Sequence, residues 1–344
     1  MNGAEPNSKQ LVWQALRGLE TSRAPTGPLA VHFCARVSGI SLREYTTNPR
    51  LLAEAVIRYY ERFRPDAVWL SSDTWVSAQA MGAPVGATND CQPFGSLGEP
   101  LIKSGADINR IPAPNVNTQG RYPLMLEALA RICDMLGKEA FVVACFDQYP
   151  FSLASALMGI DKMMLKLTDD PPMVEALMER CLEYGLAYGK ALSSAGADML
   201  SGGDSPAGLI GPRSYRKLAL PYERRLIAGL KSGMRKPVSL HICGNAAPIL
   251  PDMVSSGADV LEIDHQVDLA NACRIVGPDI GLWGNLDPVA LLMQGSTGQI
   301  RQASRQAVEI VRACGHRRFV LSSGCTIAPD TPFENVEAML RSTR

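Results

Sequence analysis

One local pattern repeats along this chain: a helix, a turn containing glycine, a short apolar strand, and then a polar residue. Two of the turns, at 195–198 (Ala-Gly-Ala-Asp) and 256–259 (Ser-Gly-Ala-Asp), each lie between a predicted helix and a predicted strand. Glycine at such a position supplies the left-handed residue that ends a helix. Short apolar strands alternating with helices are typical of a parallel α/β sheet whose faces are covered.

The number of strand candidates predicts the architecture. Eight parallel strands with intervening helices indicate an α/β fold consisting of a single (β/α)8 TIM barrel. We assign the barrel to residues 9–344 and expect residues 1–8 to form a loose tail. Segment 82–117 is rich in Gly, Pro and Asn and contains no strong element, so its length predicts a functional role or a small structure of its own. The strand candidates begin near residues 29, 67, 141, 199, 238, 260, 280 and 319.

Composition excludes several classes of function. The 344 residues include 34 basic and 34 acidic side chains, so the chain lacks the basic excess of a nucleic-acid-binding protein. No apolar run reaches the roughly 18 residues that suggest a membrane span, and the first residues lack the apolar core of a signal peptide. Nine cysteines, an odd number without short paired spacings, argue against a disulfide framework. We therefore expect a cytoplasmic protein.

Three residues have the chemistry of a metal site. His241 and Cys243 are two positions apart at the end of a predicted strand, where their side chains point to the same side. Cys325 follows another predicted strand, and the ends of parallel barrel strands lie on one face. Imidazole nitrogen and thiolate sulfur are typical zinc ligands, and three protein ligands leave the open position of a catalytic site. The alternative is that the cysteines are buried and inert, as free cysteines often are; the two converging strand ends favour the metal.

Further polar residues follow predicted strands, where the active sites of such barrels lie. As functional residues, Asp204 and Asn285 would orient a substrate. As structural residues, they would hydrogen-bond the backbone of the loops at the barrel mouth. The strand-end residues outside the predicted metal site are Arg36, Asp73, Asp147, Asp204, Asp264 and Asn285.

Three motifs together resemble those of the uroporphyrinogen decarboxylase superfamily. They are His-Ile-Cys-Gly-Asn at 241–245, Trp-Gly-Asn-Leu-Asp-Pro at 283–288 and Ser-Gly-Cys at 323–325, and the resemblance covers roughly residues 10–342. The Gly-Asn-Leu-Asp-Pro segment is shared by the whole superfamily. The His-x-Cys motif with the later Gly-Cys pair is more specific, and it resembles the zinc-binding methyltransferase branch. Members of that branch move methyl groups between corrinoid proteins and small acceptors such as coenzyme M.

The resemblance implies a mechanism. A zinc ion held by His241, Cys243 and Cys325 would be formally neutral and could activate a substrate thiol near neutral pH. Asp264 would be catalytic, filling the fourth position until substrate arrives, or it would only cap the following loop. The cobamide would arrive on a separate corrinoid protein. Segment 82–117 of this chain could support the docking of that protein. The opposite direction, demethylation of a methylated or methoxylated compound, is equally compatible with these residues.

Two alternatives stay open. Members of the decarboxylase branch carry an arginine-rich segment near the N-terminus that binds the many carboxylates of a tetrapyrrole, whereas residues 32–39 here contain only Arg36. Asp73 lies where the substrate-binding aspartate of that branch would lie, so a metal-free tetrapyrrole decarboxylase is the second interpretation. A barrel that only binds a tetrapyrrole or a partner is the third, and the presence of all three zinc ligands disfavours it.

Overall fold

The computed structural model describes residues 6–95 and 99–344, and within them a curled parallel sheet of seven strands forms the centre of the fold. Two further strands form a separate antiparallel pair. In chain order the strands are β1 (Ala67–Leu70), β2 (Val85–Gly86), β3 (Phe94–Gly95), β4 (Phe141–Gln148), β5 (Met199–Gly203), β6 (Ser239–Ile242), β7 (Val260–Ile263), β8 (Gly281–Leu286) and β9 (Phe319–Ser323).

Helices connect consecutive strands of the sheet. They form where apolar residues recur at helical spacing, as in α4 and α15, and where the chain supplies a cap. A 3-10 helix at Ser205–Leu209 follows β5. The α-helices of the described residues are α1 (Ser8–Leu16), α2 (Phe33–Ser38), α3 (Leu42–Thr47), α4 (Pro49–Phe63), α5 (Val76–Ala80), α6 (Gly105–Ile108), α7 (Tyr122–Leu136), α8 (Pro150–Met158), α9 (Ile160–Asp169), α10 (Pro171–Ser194), α11 (Gly211–Leu218), α12 (Leu220–Lys231), α13 (Leu250–Val254), α14 (Leu269–Val276), α15 (Thr297–Ala313) and α16 (Phe333–Arg341).

The order of the strands confirms the predicted α/β class. The large sheet runs β1-β4-β5-β6-β7-β8-β9, and every neighbouring pair is parallel. Seven of the eight predicted strands are present. In the register between β6 and β7, His241 lies opposite Glu262. The parallel order brings the carboxyl ends of all seven strands to one rim of the sheet, which is where such folds place their chemistry.

The predicted first strand, near residue 29, is wrong. Residues 29 and 30 have no regular structure, residues 31 and 32 form a turn, and α2 begins at Phe33. Proline supplies no backbone N–H, so Pro28 cannot donate the hydrogen bond that a ladder would need at that position. The apolar side chains of this stretch are nevertheless buried, which is why their pattern resembles that of a strand.

A single extended residue takes the place of that strand. Thr26 forms an isolated parallel bridge with Leu321 of β9, and the Gly27 N–H donates to the Leu321 carbonyl at 3.0 Å. On the other side, the Thr26 carbonyl accepts hydrogen bonds from the backbone of Asp66 and Ala67, at 2.9 and 3.1 Å. Segment 25–27 therefore lies between the last strand of the sheet and the first.

Aromatic side chains fill one end of the sheet interior. Trp69 and Trp283 are buried with their rings edge to face, 5.7 Å apart, and both indole N–H groups donate to the Gly27 carbonyl. Gly27 has to be glycine because a Cβ there would lie 2.5 Å from the Trp283 ring. Helix α1 covers this end of the sheet with Val12 and Leu16. Any cavity within the sheet must therefore open at the opposite rim.

The remaining segments show more order than their composition predicts. Helix α1 begins at Ser8, with Asn7 capping it through the Gln10 N–H at 2.9 Å, inside the predicted tail; residues 1–5 of that tail lie outside the described residues. Segment 82–117 contains the β2–β3 pair and α6, while its residues 96–98 also lie outside. None of the described helices is both long enough and apolar enough to cross a membrane.

Candidate active site and metal centre

His241, Cys243 and Cys325 meet at the rim of the sheet. The His241 Nε2 atom lies 2.9 Å from the Cys243 sulfur, and the two sulfur atoms are 3.4 Å apart. All three donor atoms lie within 4.8 Å of one another. One nitrogen and two sulfurs at this spacing form a donor set that zinc accepts. Among the described residues, this is the one group of three such side chains close enough to share a metal ion.

Two glycines allow the loops that carry these cysteines to come together. Gly244 follows Cys243 with a φ of 80°, a left-handed conformation that costs glycine little, so the chain turns away directly after the sulfur ligand. Gly324 precedes Cys325, and a Cβ there would lie 2.4 Å from the backbone nitrogen of His265. The loops after β7 and β9 thus touch backbone to backbone directly before Cys325, whose sulfur lies 3.4 Å from that of Cys243.

The imidazole of His241 is oriented by the neighbouring strand. Its Nδ1 lies 3.1 Å from the backbone carbonyl of Glu262, an acceptor only, so we assign the proton to Nδ1. Once the ring loses its second proton, that tautomer leaves the Nε2 lone pair directed at the cysteines. Histidine ligands of protein metals are commonly held in this way by an acceptor on the far ring nitrogen.

Glu262 is a functional candidate that the sequence reasoning missed. Its carboxylate is buried, accepts hydrogen bonds from the hydroxyls of Ser201 (2.7 Å) and Ser239, and lies 4.0 Å from His241 Nδ1. Burial raises the pKa of Glu262, which the facing imidazole and the two serines oppose. The available signal was a single acidic residue inside an otherwise apolar strand, since an unneeded charge there would be costly.

The three donor groups compete for protons. Burial lowers the pKa of His241, but the facing Cys325 sulfur and the Glu262 carboxylate outweigh burial and raise it to about 9. A hydrogen bond from Cys325 lowers the pKa of Cys243, while the same contact and burial raise that of Cys325. The cluster therefore favours a first thiolate on Cys243. A metal cation would displace the remaining protons, as zinc does when it binds thiols.

A cavity of about 760 Å³ opens beside the cluster. Apolar and hydroxyl-bearing side chains form most of its wall, and Trp69 and Trp75 contribute aromatic surface. The acidic groups in the wall are Asp147 and Glu262, and none of the described residues lining it is a lysine or an arginine. Leu209, which is 75% exposed, lies at the edge, so the cavity reaches the molecular surface. The volume suits a small molecule.

Asp147, at the end of β4, is an unusual member of this wall. Its φ is 81°, a conformation that costs a non-glycine residue energy, and its carboxylate accepts the Ser77 N–H at 2.8 Å. The second carboxylate oxygen is buried with no hydrogen-bond partner in the described part of the chain. Burial raises the pKa of Asp147 to about 8. Strained, partly unsatisfied acids of this kind are concentrated at functional sites.

Asp264 lies next to the cluster but is not one of its three members. One carboxylate oxygen accepts the Gly244 N–H at 2.9 Å, and the other accepts the Gln266 N–H at 2.9 Å and lies 2.9 Å from His265 Nδ1. These contacts connect the loop after β6 to the loop after β7. In this structure Asp264 therefore holds together two loops beside the cluster.

The three predicted substrate ligands lie outside the cavity wall. Asp73 is buried in a two-pronged ion pair with Arg121, with one contact of 2.9 Å. Asp204 is fully buried, accepts both the N–H (2.8 Å) and the hydroxyl (2.6 Å) of Ser152, and burial raises its pKa to about 6. Asn285 donates to the backbone carbonyls of Asp264 and Val267, at 3.2 and 2.8 Å. Each of them supports a wall or a loop of the site.

The family model for uroporphyrinogen decarboxylase (URO-D) matches residues 7–344. The chain belongs to the uroporphyrinogen decarboxylase family. Within that family, the chain is 31% identical over 281 residues to the methylcobamide:CoM methyltransferase MtbA of Methanosarcina acetivorans, covering 81% of this chain and 79% of the relative. It is also 28% identical over 351 residues to the uroporphyrinogen decarboxylase of Gloeobacter violaceus, covering 98% and 97%.

A solved structure supports the same branch of the uroporphyrinogen decarboxylase family. The methyltransferase from Methanosarcina mazei superimposes with a TM-score of 0.88 at 27% identity, covering 98% of both chains. The branch predicted from the His-x-Cys and Gly-Cys motifs, that of the corrinoid methyltransferases, is confirmed by these similarities.

Proposed function

We propose that this methyltransferase of the uroporphyrinogen decarboxylase family uses zinc and moves a methyl group between a corrinoid protein and a small substrate. The observation that carries the proposal is the convergence of His241, Cys243 and Cys325 beside a cavity that reaches the surface. Two strands supply these donors, with His241 and Cys243 at the end of β6 and Cys325 after β9. The similarity to proteins named methylcobamide:CoM methyltransferases agrees with it.

Each residue of the centre has a role in this proposal. His241, Cys243 and Cys325 hold the zinc ion, which supplies the Lewis acidity that lowers the pKa of a substrate thiol or polarises a methylated substrate. Glu262 keeps the imidazole in the required tautomer through its backbone carbonyl. Asp264 keeps the two ligand loops together, and its predicted role as a resting fourth ligand would require it to leave these hydrogen bonds.

The cobamide belongs to the partner in this proposal, so the corrinoid protein has to dock over the cavity. Two apolar side chains at the cavity edge are exposed, Leu209 at 75% and Ile160 at 38%. Such exposed apolar side chains at a cavity mouth suit a protein interface better than free solvent.

We also infer that segment 25–27 closes the sheet into a complete barrel, because it hydrogen-bonds both edge strands.

Tetrapyrrole decarboxylation, the second interpretation, receives less support from the site. The uroporphyrinogen decarboxylase relative is about as similar in sequence as the methyltransferases are. However, a substrate with many carboxylates needs cationic partners in a buried site, and the described cavity wall has no lysine or arginine. Asp73, the residue that kept this activity open, forms a buried ion pair with Arg121.

The decisive experiment is metal analysis by mass spectrometry combined with methyl transfer from methylcobalamin to thiols. The parent protein should contain about one zinc per chain, and Cys243→Ala and Cys325→Ala should lose both zinc and transfer. Cys314→Ala is the matched control, because Cys314 is exposed and is not one of the three clustered residues; it should keep both. Zinc-free parent protein that still transfers methyl groups would refute the proposed role of the metal.

A further inference from the structure

The cavity beside the metal centre has an unusual charge pattern. Apart from the three ligands, the acidic side chains of its described wall are Asp147 and Glu262, and no cationic side chain is present there. The residues that the structure leaves undescribed, 1–5 and 96–98, contain no lysine or arginine in the sequence. Apart from His241, no described residue that lines the cavity thus offers a cationic partner to an anionic ligand.

Two arginines outside the cavity wall are already engaged in other contacts. Arg121 lies behind the wall in its ion pair with Asp73. Arg36 donates to the backbone carbonyls of Pro329 and Thr331, at 3.1 and 3.0 Å. Turning either side chain into the cavity would break these contacts, and for Arg121 it would leave a buried carboxylate without its partner.

Neutral hydrogen-bond donors could replace a cation only in part, because several of those in the wall already donate elsewhere. The hydroxyls of Ser152, Ser155 and Ser201 donate to the Asp204 carboxylate, the Phe151 carbonyl and the Glu262 carboxylate. The side-chain amide of Gln148 donates to the Thr74 carbonyl. A sulfonate or carboxylate entering this cavity would lose its hydration and find only neutral donors, such as the hydroxyls of Ser71, Thr74, Ser205 and Thr326, in place of a cation, which is unfavourable for a buried charge.

We propose that the small substrate of this site is electrically neutral apart from its reacting group, and that the cavity discriminates against sulfonates and carboxylates. The inference rests on the proposed function, since it concerns the molecule that exchanges the methyl group. It separates this chain from the relatives whose names include coenzyme M, a thiol that carries a sulfonate. The apolar and aromatic wall is suited to an uncharged thiol or a methyl ether.

A matched series of thiols tests the proposal without turnover. Zinc-loaded protein is titrated by calorimetry with 2-mercaptoethanol, 2-mercaptoethanesulfonate and cysteamine, which share a two-carbon thiol and differ in the charge of the distal group. We expect 2-mercaptoethanol to bind at least about tenfold more tightly than the sulfonate, the scale of a single lost ionic contact. Equal or tighter binding of the sulfonate, or tightest binding of cysteamine, would refute the proposal.

A charge introduced into the wall gives the complementary test. Gln148→Lys should raise the affinity for 2-mercaptoethanesulfonate by at least about tenfold and leave that for 2-mercaptoethanol nearly unchanged. Gln302→Lys is the matched control, because Gln302 is exposed on α15 and is not part of the cavity wall; it should change neither affinity. An unchanged sulfonate affinity in Gln148→Lys would show that charge does not set the selectivity.

The outcomes also separate this inference from the proposed function. If the zinc-loaded protein binds and methylates 2-mercaptoethanesulfonate best, the methyltransferase function stands and the neutral-substrate inference is wrong. If zinc binds at the cluster but no thiol of the series binds or is methylated from methylcobalamin, both are wrong for thiol acceptors.

Discussion

Replacing Gly324 by alanine should damage the proposed metal centre while leaving His241, Cys243 and Cys325 in the sequence. The Cβ of an alanine would lie 2.4 Å from the His265 nitrogen and 3.1 Å from the Asp264 carbonyl carbon, whereas an ordinary contact begins at 3.4 Å. Both neighbours are backbone atoms, so no side chain can rotate away. The Cys325 loop must therefore shift by about 1 Å relative to the loop after β7.

A shift of that size is large for a metal site. Zinc–ligand distances in a functional site hold to within about 0.2 Å, so a displacement of about 1 Å removes Cys325 from its position. We expect zinc affinity to fall by about 10- to 100-fold or more, the range seen when groups that orient metal ligands are removed. The crowding itself should cost about 1–3 kcal/mol of folding stability.

The assay is competition for zinc against a chromophoric chelator, with urea unfolding of the metal-free protein measured in parallel. Gly105→Ala is the matched control, because a Cβ at Gly105 meets no atom within 4 Å and its backbone is ordinary; it should leave both quantities unchanged. Parent-like zinc affinity and stability in Gly324→Ala would show that the close approach of the two loops does not position Cys325.

Three further substitutions test individual carboxylates. Asp73→Asn should destabilise the fold by about 3–5 kcal/mol in urea unfolding, because it leaves Arg121 buried without its partner. Asp264→Asn should retain about one zinc per chain by mass spectrometry and lose about 1–2 kcal/mol of stability, because it weakens the hydrogen bonds that join the ligand loops. Asp147→Asn should become increasingly more stable than the parent as pH rises from about 4 to about 8, by a few kcal/mol at most, measured by urea unfolding across that range.

The sign of the last effect follows from the raised pKa. Below the unfolded-state pKa near 3.8, Asp147 is protonated in both states and costs nothing. Between that value and about 8, the unfolded chain releases the proton while the folded chain keeps it, so the parent loses stability with each unit of pH. A constant difference between the variant and the parent over this range would contradict the explanation.

Loss of zinc in Asp264→Asn would instead favour the predicted role of Asp264 as a metal ligand. Parent-like stability of Asp73→Asn together with weakened substrate binding would favour the predicted role of Asp73 in substrate binding. Because each variant changes a carboxylate to an amide of the same shape, packing is preserved and the charge is the variable.

Sequence reasoning was most successful where a local pattern reflects a local cause. Alternating helices and apolar strands predicted seven of the strands, because burial on both faces requires a continuous apolar run. The two-residue spacing of His241 and Cys243 predicted that their side chains share a side, because alternation along a strand is a property of the backbone. The position of Cys325 followed from the parallel order, which brings strand ends to one rim.

Other features depended on contacts between segments far apart in the chain. The apolar stretch after Pro28 has the sequence pattern of a strand, yet it is segment 25–27 that hydrogen-bonds β1 and β9. Strand pairing depends on which backbone groups of these two strands are within hydrogen-bond distance. Asp73 and Asp204 follow strands and Asn285 lies near the end of β8, as substrate ligands would, but other residues pair with their polar atoms.

The sequence by itself thus determined the class of fold, the branch of the family and the three residues of the proposed metal centre. The tertiary structure decided what surrounds them: Glu262 behind the imidazole, Gly324 against the neighbouring loop, and a cavity wall without a cation. The physical reason is that backbone periodicity fixes the direction of a side chain, while its partners depend on the register between strands and on the paths of loops distant in sequence.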